Sequence, residues 1–295
     1  MPDYYSEDFV VEAEDGVCLR GARYYGNKNG PEKGTALCLH GLSSDSNGVL
    51  LIAEKLVNVG IDVIAPDMRG HGFSDTCPNK TMNVAQFASD VARICLALKQ
   101  DSFFLVTLSY GGNVGLEILN SYSKEFTIEG MYSFAPPWLS SRLPLANICQ
   151  SFYGTFKYLR KVGRLSGFTT QRHPARQKYA LYGGQSDFYM PLISAEVKSI
   201  SWLSYARLLI NLKIENFFEH IVWEDFKEKN VHLFLASSDC VVNNQALQDI
   251  VRRTGWSCYW LEGFHVSLMF ENKMTSEFIE ELLKLRAVNV FSQRP

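Results

Sequence analysis

A serine hydroxyl is a poor nucleophile at neutral pH. It needs a base to take its proton and an acid to orient that base, and the sequence offers a place for each. In Leu105-Val106-Thr107-Leu108-Ser109-Tyr110-Gly111-Gly112-Asn113-Val114 an apolar run stops at Ser109, two glycines follow, and a helical pattern (Val114, Leu116, Ile118, Leu119) begins at once. A strand, sharp turn and helix of this kind would hold Ser109 on a tight backbone corner, its hydroxyl pushed out of the sheet and the next N–H close by. A helix-capping serine in an ordinary βα unit fits the same letters equally well. Thr107 also stands where the usual Gly-x-Ser-x-Gly elbow has its first glycine.

The base is sought among six histidines. His232 lies inside a predicted strand, His173 and His220 fall in a helical, aromatic middle region, and His40 and His71 precede glycines in early turns. His265, in Leu261-Glu262-Gly263-Phe264-His265-Val266, follows the last predicted strand, where the loop reaches the edge that carries Ser109. Asp239 directly follows the predicted strand Val231–Ala236 and arrives on that same edge as the acid. Taken alone, such an aspartate is more often a turn former or a helix cap. The rival position, just after the strand ending at Ala135, is Pro136-Pro137-Trp138 and holds no carboxylate. In His40-Gly41-Leu42 the glycine turn can aim the Leu42 N–H at a developing oxyanion, with the Tyr110 N–H as second donor. His40 itself reads as structural, and so does Arg69-Gly70-His71-Gly72, a loop pinned by charges such as Asp67.

These residues need a scaffold that brings strand ends together. Apolar runs around Glu14-Asp15-Gly16 signal a β-hairpin. Thr35–Leu39 is apolar on both faces, as a buried parallel strand should be, and Ile61–Asp67, 127–135 and Trp256–Leu261 read as further strands. Helical spacing appears over Asn47–Val59, Asn83–Lys99, Asn244–Arg253 and Thr275–Arg286. The alternation implies an open, mostly parallel sheet covered on both faces, with the site beyond the carboxyl ends of its strands. It breaks between Trp138 and Asp225, which reads as an inserted cap rather than a second independent domain.

Composition narrows the partners. A net charge of -2 argues against a dedicated nucleic-acid binder. Seven scattered cysteines with no C-x-x-C pair suit free thiols in a reducing compartment and offer no zinc spacing. The acidic start Met-Pro-Asp-Tyr-Tyr-Ser-Glu-Asp lacks a secretory pattern, and no apolar run approaches a membrane span of about 20 residues. The expected location is the cytoplasm.

His40-Gly41, the run Pro66-Asp67-Met68-Arg69-Gly70-His71-Gly72-Phe73-Ser74, the corner at Ser109, and then Asp239 and His265 together resemble the α/β-hydrolase superfamily, nearest to its capped esterases and monoacylglycerol-lipase-like members. The resemblance spans roughly residues 9–136 and 228–286, and its strength lies in the order of the motifs. It implies an α/β fold with an eight-stranded, mostly parallel sheet, helices on both faces and a lid inserted after the sixth strand. It also implies ester hydrolysis through an acyl-enzyme on Ser109, with no metal and no cofactor. The core would comprise residues 1–137 and 226–295, and the cap 138–225. Thr107 departs from the family's small residue at that position and implies a slightly adjusted elbow.

The inserted region has no acidic residue between Glu129 and Asp187 but carries Arg142, Lys157, Arg160, Lys161, Arg164, Arg172, Arg176 and Lys178. A charge run is usually a solvated face. The alternative is weak attraction of an anionic surface, an acyl carrier or an anionic substrate. The leading expectation is therefore an esterase or lipase-like enzyme for a small or lipid-like ester with an apolar acyl chain. A thioesterase or acyltransferase for carrier-bound acyl chains, or a non-catalytic binding homologue, stands beside it. Acyl length and oligomeric state are left open.

Overall fold

The computed structural model describes residues 5–26, 33–42, 44–75, 82–138, 221–239 and 241–292. Strand β1 (Ser6–Glu12) turns at Asp15-Gly16 into β2 (Cys18–Tyr24), with Gly16 at φ +80°, a value that favours glycine. Then follow β3 (Thr35–Leu39), β4 (Asp62–Asp67), β5 (Ser102–Leu108), β6 (Thr127–Phe134), β7 (Val231–Ala236) and β8 (Ser257–Leu261). They form one eight-stranded sheet in the order β1-β2-β4-β3-β5-β6-β7-β8. Strands β3 to β8 run parallel, and β1 and β2 add an antiparallel edge.

The parallel strands β3 and β7 are buried along their whole length because both faces are covered. Alternate residues divide between two cores. Cys38, Phe104, Val106, Tyr132 and Phe234 meet α1 (Leu50–Asn58) and α6 (Asn272–Ser292) on one face. Leu37, Leu105, Met131, Leu233 and Leu235 meet α2 (Val84–Ala97), α3 (Gly111–Ser121) and α4 (Asn244–Thr254) on the other. Asn83 and Asn243 cap α2 and α4 with their side-chain oxygens. A short turn of helix, α5 (Ser267–Phe270), precedes α6.

Neighbours β6 and β7 pair directly, Met131 opposite Val231, so residues 135–230 form one crossover between adjacent strands. Most of the expected cap, 139–220, lies outside the described residues, as do the basic run, His173 and His220. Cys18, Cys38, Cys95 and Cys258 are free thiols. No helix among the described residues is long and apolar enough to cross a membrane.

Candidate active site

Ser109 leaves β5 at φ +48°, a left-handed conformation that costs a non-glycine residue energy and persists only where its surroundings hold it. Two backbone bonds hold it here: the Ser109 N–H donates to Phe134 O (2.9 Å), and Ser109 O accepts from the Gly112 N–H (2.8 Å). Helix α3 begins immediately and presses on the sheet. A Cβ on Gly111 would lie 2.5 Å from Leu39 O, and one on Gly112 would lie 2.6 Å from Pro136 Cβ, so neither position has room for a side chain.

The Thr107 anomaly resolves one helical turn further on. Its hydroxyl donates to Ser133 Oγ at 2.8 Å, which satisfies a fully buried polar group, and its methyl occupies space that Gly115 leaves free. The missing glycine of the elbow pattern is thus balanced by a glycine in the facing helix.

Register brings the other two residues together. Ala236 and Leu261 are paired ends of the adjacent strands β7 and β8, so the loops beyond them leave the sheet side by side. They are laced together by Ser237 N–H to Leu261 O and Ser238 N–H to Gly263 O, both 2.9 Å. Gly263, at φ +156°, packs against Ser267, whose hydroxyl accepts from the Phe264 N–H. His265 is presented from this turn.

The Asp239 side chain is fully buried and its carboxylate fully used. One oxygen accepts the Val241 and Val242 N–H groups at 2.8 and 2.9 Å, and the other lies 2.8 Å from His265 Nδ1. Burial alone would raise its pKa, but the bond and charge of His265, with the two amides, outweigh that and hold it below the usual carboxylate range. An ionised carboxylate only accepts, so His265 Nδ1–H donates to it. His265 Nε2 is then the acceptor facing Ser109 Oγ at 2.8 Å. The structure therefore brings Ser109, His265 and Asp239 into one hydrogen-bonded relay.

Gly41 runs against the serine: a Cβ there would sit 3.5 Å from Ser109 Cβ. Leu42 follows it, and Tyr110 starts α3 on the other side. His40 and His71 are fully buried beneath this loop. Burial, with the neighbouring His71, pushes the His40 pKa down to about 3 against the pull of the Gly41 carbonyl. Burial likewise lowers His71, although the Leu42 and Arg69 carbonyls pull the other way.

The loop after Asp67 is pinned, as expected, by charged side chains. Asp67 accepts the Ser46 N–H (2.7 Å) and the Phe73 N–H (2.9 Å), while Arg69 pairs with Asp90 (2.5 Å) and Asp15 (2.9 Å). Asp90 was the signal in the sequence: it falls on the apolar face of α2 with Phe87, Val91 and Ile94, where a lone carboxylate requires a buried cation. The Thr107–Ser133 bond had no such signal, because it depends on the pairing of β5 with β6. No group of metal-ligating side chains occurs among the described residues.

A family model described as alpha/beta hydrolase fold matches residues 37–253, well over half of the chain. The protein belongs to the α/β-hydrolase fold family. Solved structures of similar shape include an esterase from Exiguobacterium antarcticum (TM-score 0.69, 17% identity, covering 93% of this chain and 98% of that one). They also include a thermophilic esterase from Thermogutta terrifontis (TM-score 0.66, 18% identity, 96% and 99%). A thioesterase domain from the curacin biosynthetic pathway superposes with TM-score 0.63 at 17% identity, covering 93% and 99%. At these identities the likeness concerns the fold of this α/β-hydrolase protein. No curated protein matches it significantly by sequence.

Proposed function

We propose that the protein is a serine hydrolase that cleaves carboxylic esters with an apolar acyl chain through an acyl-enzyme on Ser109. The observation that carries this reading is the unbroken relay from Ser109 Oγ to His265 Nε2 and from His265 Nδ1 to Asp239, each link 2.8 Å. In that arrangement His265 takes the hydroxyl proton as Ser109 attacks the ester carbonyl, and returns it to the departing alkoxide. A water then repeats the steps in reverse order to release the acid. Asp239 keeps Nδ1 protonated and steadies the imidazolium as it forms. The N–H groups of Leu42 and Tyr110 bind the oxyanion, and two such donors contribute a few kcal/mol each in a water-poor site, about 3 kcal/mol being typical.

Residues 138–225 are assigned here as a cap over this edge, between core segments 1–137 and 226–295. Support comes from the topology, since the insertion leaves the sheet at the carboxyl end of β6, between the strand that ends at Ser109 and the strand that leads to Asp239. Exposed Phe264, Val266 and Val241 beside His265 and Asp239 favour an apolar acyl group at the rim. The free thiols favour the cytoplasm.

The test is a panel of p-nitrophenyl esters, acylglycerols and acyl thioesters offered to the wild type and to Ser109→Ala, with labelling by a fluorophosphonate probe. Oxygen esters should be cleaved and the wild type labelled, and both should vanish in Ser109→Ala. Faster turnover of thioesters would shift the leaving group to sulfur and keep the relay. Undiminished hydrolysis in Ser109→Ala would overturn the reading.

A further inference from the structure

A backbone N–H has no side chain to steer it. Its direction is set by its peptide plane, in which the preceding C=O points the opposite way. Whatever grips the Gly41 carbonyl therefore aims the Leu42 N–H. That grip is a buried imidazole: His40 Nε2 accepts from the Met68 N–H at 3.0 Å, so its proton is on Nδ1, which donates to Gly41 O at 2.8 Å. The next peptide is gripped by a second imidazole: His71 faces two carbonyls, and its one N–H is assigned to Nε2, which makes the shorter contact, 2.7 Å to Leu42 O against 3.0 Å from Nδ1 to Arg69 O.

The two rings touch, their centroids 5.1 Å apart. His71 meets the Phe87 ring at 6.2 Å, and Phe87 meets Tyr110 edge-on at 5.8 Å. All four side chains are buried, so one row of rings joins the segment carrying the Leu42 N–H to the residue carrying the second N–H. A rotation of the Gly41–Leu42 peptide would break the bond to His40, a rotation of the peptide after it would break the bond to His71, and either would leave a buried ring nitrogen unpaired.

We propose that His40 and His71 are positioning residues that fix the direction of the Leu42 amide towards the oxyanion formed at Ser109. The proposal rests on the serine-hydrolase reading above. Its chemistry is directional: both rings are fully buried, and each acts through the peptide whose carbonyl it holds, the two peptides flanking the Leu42 Cα.

The experiment compares variants that keep the donating atom with variants that delete it. Glutamine at 71 can place an N–H near the position of Nε2, and asparagine at 40 can do so near that of Nδ1, whereas His71→Leu and His40→Ala cannot. On a p-nitrophenyl ester, His71→Leu and His40→Ala should lower kcat about 10- to 100-fold with KM changed less than about threefold, because the lost interaction exists only in the transition state. The Ki of a trifluoromethyl ketone, whose serine adduct carries the oxyanion, should rise by the same factor. His71→Gln and His40→Asn should recover most of both. If a deletion variant does not fold, the decision passes to His71→Gln and His40→Asn, where kcat within about fivefold of wild type supports the proposal and a loss above about 30-fold at unchanged melting temperature overturns it. A folded His71→Leu with wild-type kcat and Ki also overturns it. Absence of Ser109-dependent hydrolysis in the wild type would instead remove the underlying reading.

Discussion

The methyl of Thr107 lies 2.9 Å from the point where a Cβ on Gly115 would stand, so strand β5 and helix α3 meet through a threonine and a glycine that fit only as a pair. Met131 Cε presses on the same point from 2.8 Å. Gly115→Ala is expected to destabilise the protein by about 1–3 kcal/mol through overpacking, although alanine is the better helix former. Thr107→Ser keeps the hydroxyl for Ser133 and removes the methyl, so the double variant should recover about 1 kcal/mol relative to the sum of the single changes. Urea unfolding of the four proteins measures this coupling. Additive behaviour would mean that Met131 alone sets the limit.

Asp239 gives up both carboxylate oxygens to bonds within its own turn and to His265, which makes it a test of orientation rather than of packing. Asp239→Asn should leave the melting temperature within a few degrees of wild type. It should lower kcat about 10³- to 10⁴-fold, because an amide nitrogen facing Nδ1 favours the wrong imidazole tautomer. Steady-state rates on a p-nitrophenyl ester decide the matter, and a loss below tenfold would point to another acid.

His232 is a buried polar side chain with no task in the site. It stacks on Tyr132 with ring centroids 5.1 Å apart, and neither ring nitrogen has a hydrogen-bond partner. Burial pushes its pKa down to about 4. Above pH about 6.5 the ring is neutral whether the chain is folded or unfolded, and no pH-dependent cost arises. Between about 6.5 and about 4 only the unfolded chain takes up the proton, so stability falls as pH falls, by up to about 1.4 kcal/mol per unit. His232→Phe should therefore stabilise the protein by about 1 kcal/mol at pH 7.5 and by about 1.4 kcal/mol more at pH 5.5. Chemical denaturation at the two pH values checks this, and an equal gain at both would refute burial as the cause.

What the sequence disclosed and what it hid divide along a physical line. The meeting of Ser109, Asp239 and His265 was legible because each follows an apolar run that reads as a strand, and strand ends of a parallel sheet share one edge. The hairpin at Asp15-Gly16 and the helix beginning near Asn83 were legible because turns and helical spacing depend on residues close in the chain. The helix expected from Asn47 begins instead as a 3-10 turn over Ser46–Val49, capped by the side chain of Asp45, and becomes α-helical only at Leu50. The partners of Arg69 and the fit of Thr107 against Gly115 were hidden, since they join segments whose closeness is a product of the finished fold.

The crossover between β6 and β7 also orders events in time. Ser109 precedes His265 by 156 residues, and the whole inserted segment must be synthesised between them. A ribosome therefore releases Gly41, Ser109 and Tyr110, just beyond the strands β3 and β5 that pair with one another, before Asp239 and His265 exist. In the nascent chain Ser109 lacks its hydrogen bond to His265 until β7 and β8 add to the open edge of β6. Long-range closure of this kind is slow relative to local pairing, so onset of reactivity at Ser109 would report the last step of assembly. The same division would let a chain severed within the insertion act as two halves, one carrying Ser109 and the other Asp239 and His265, with the relay closing only when they meet.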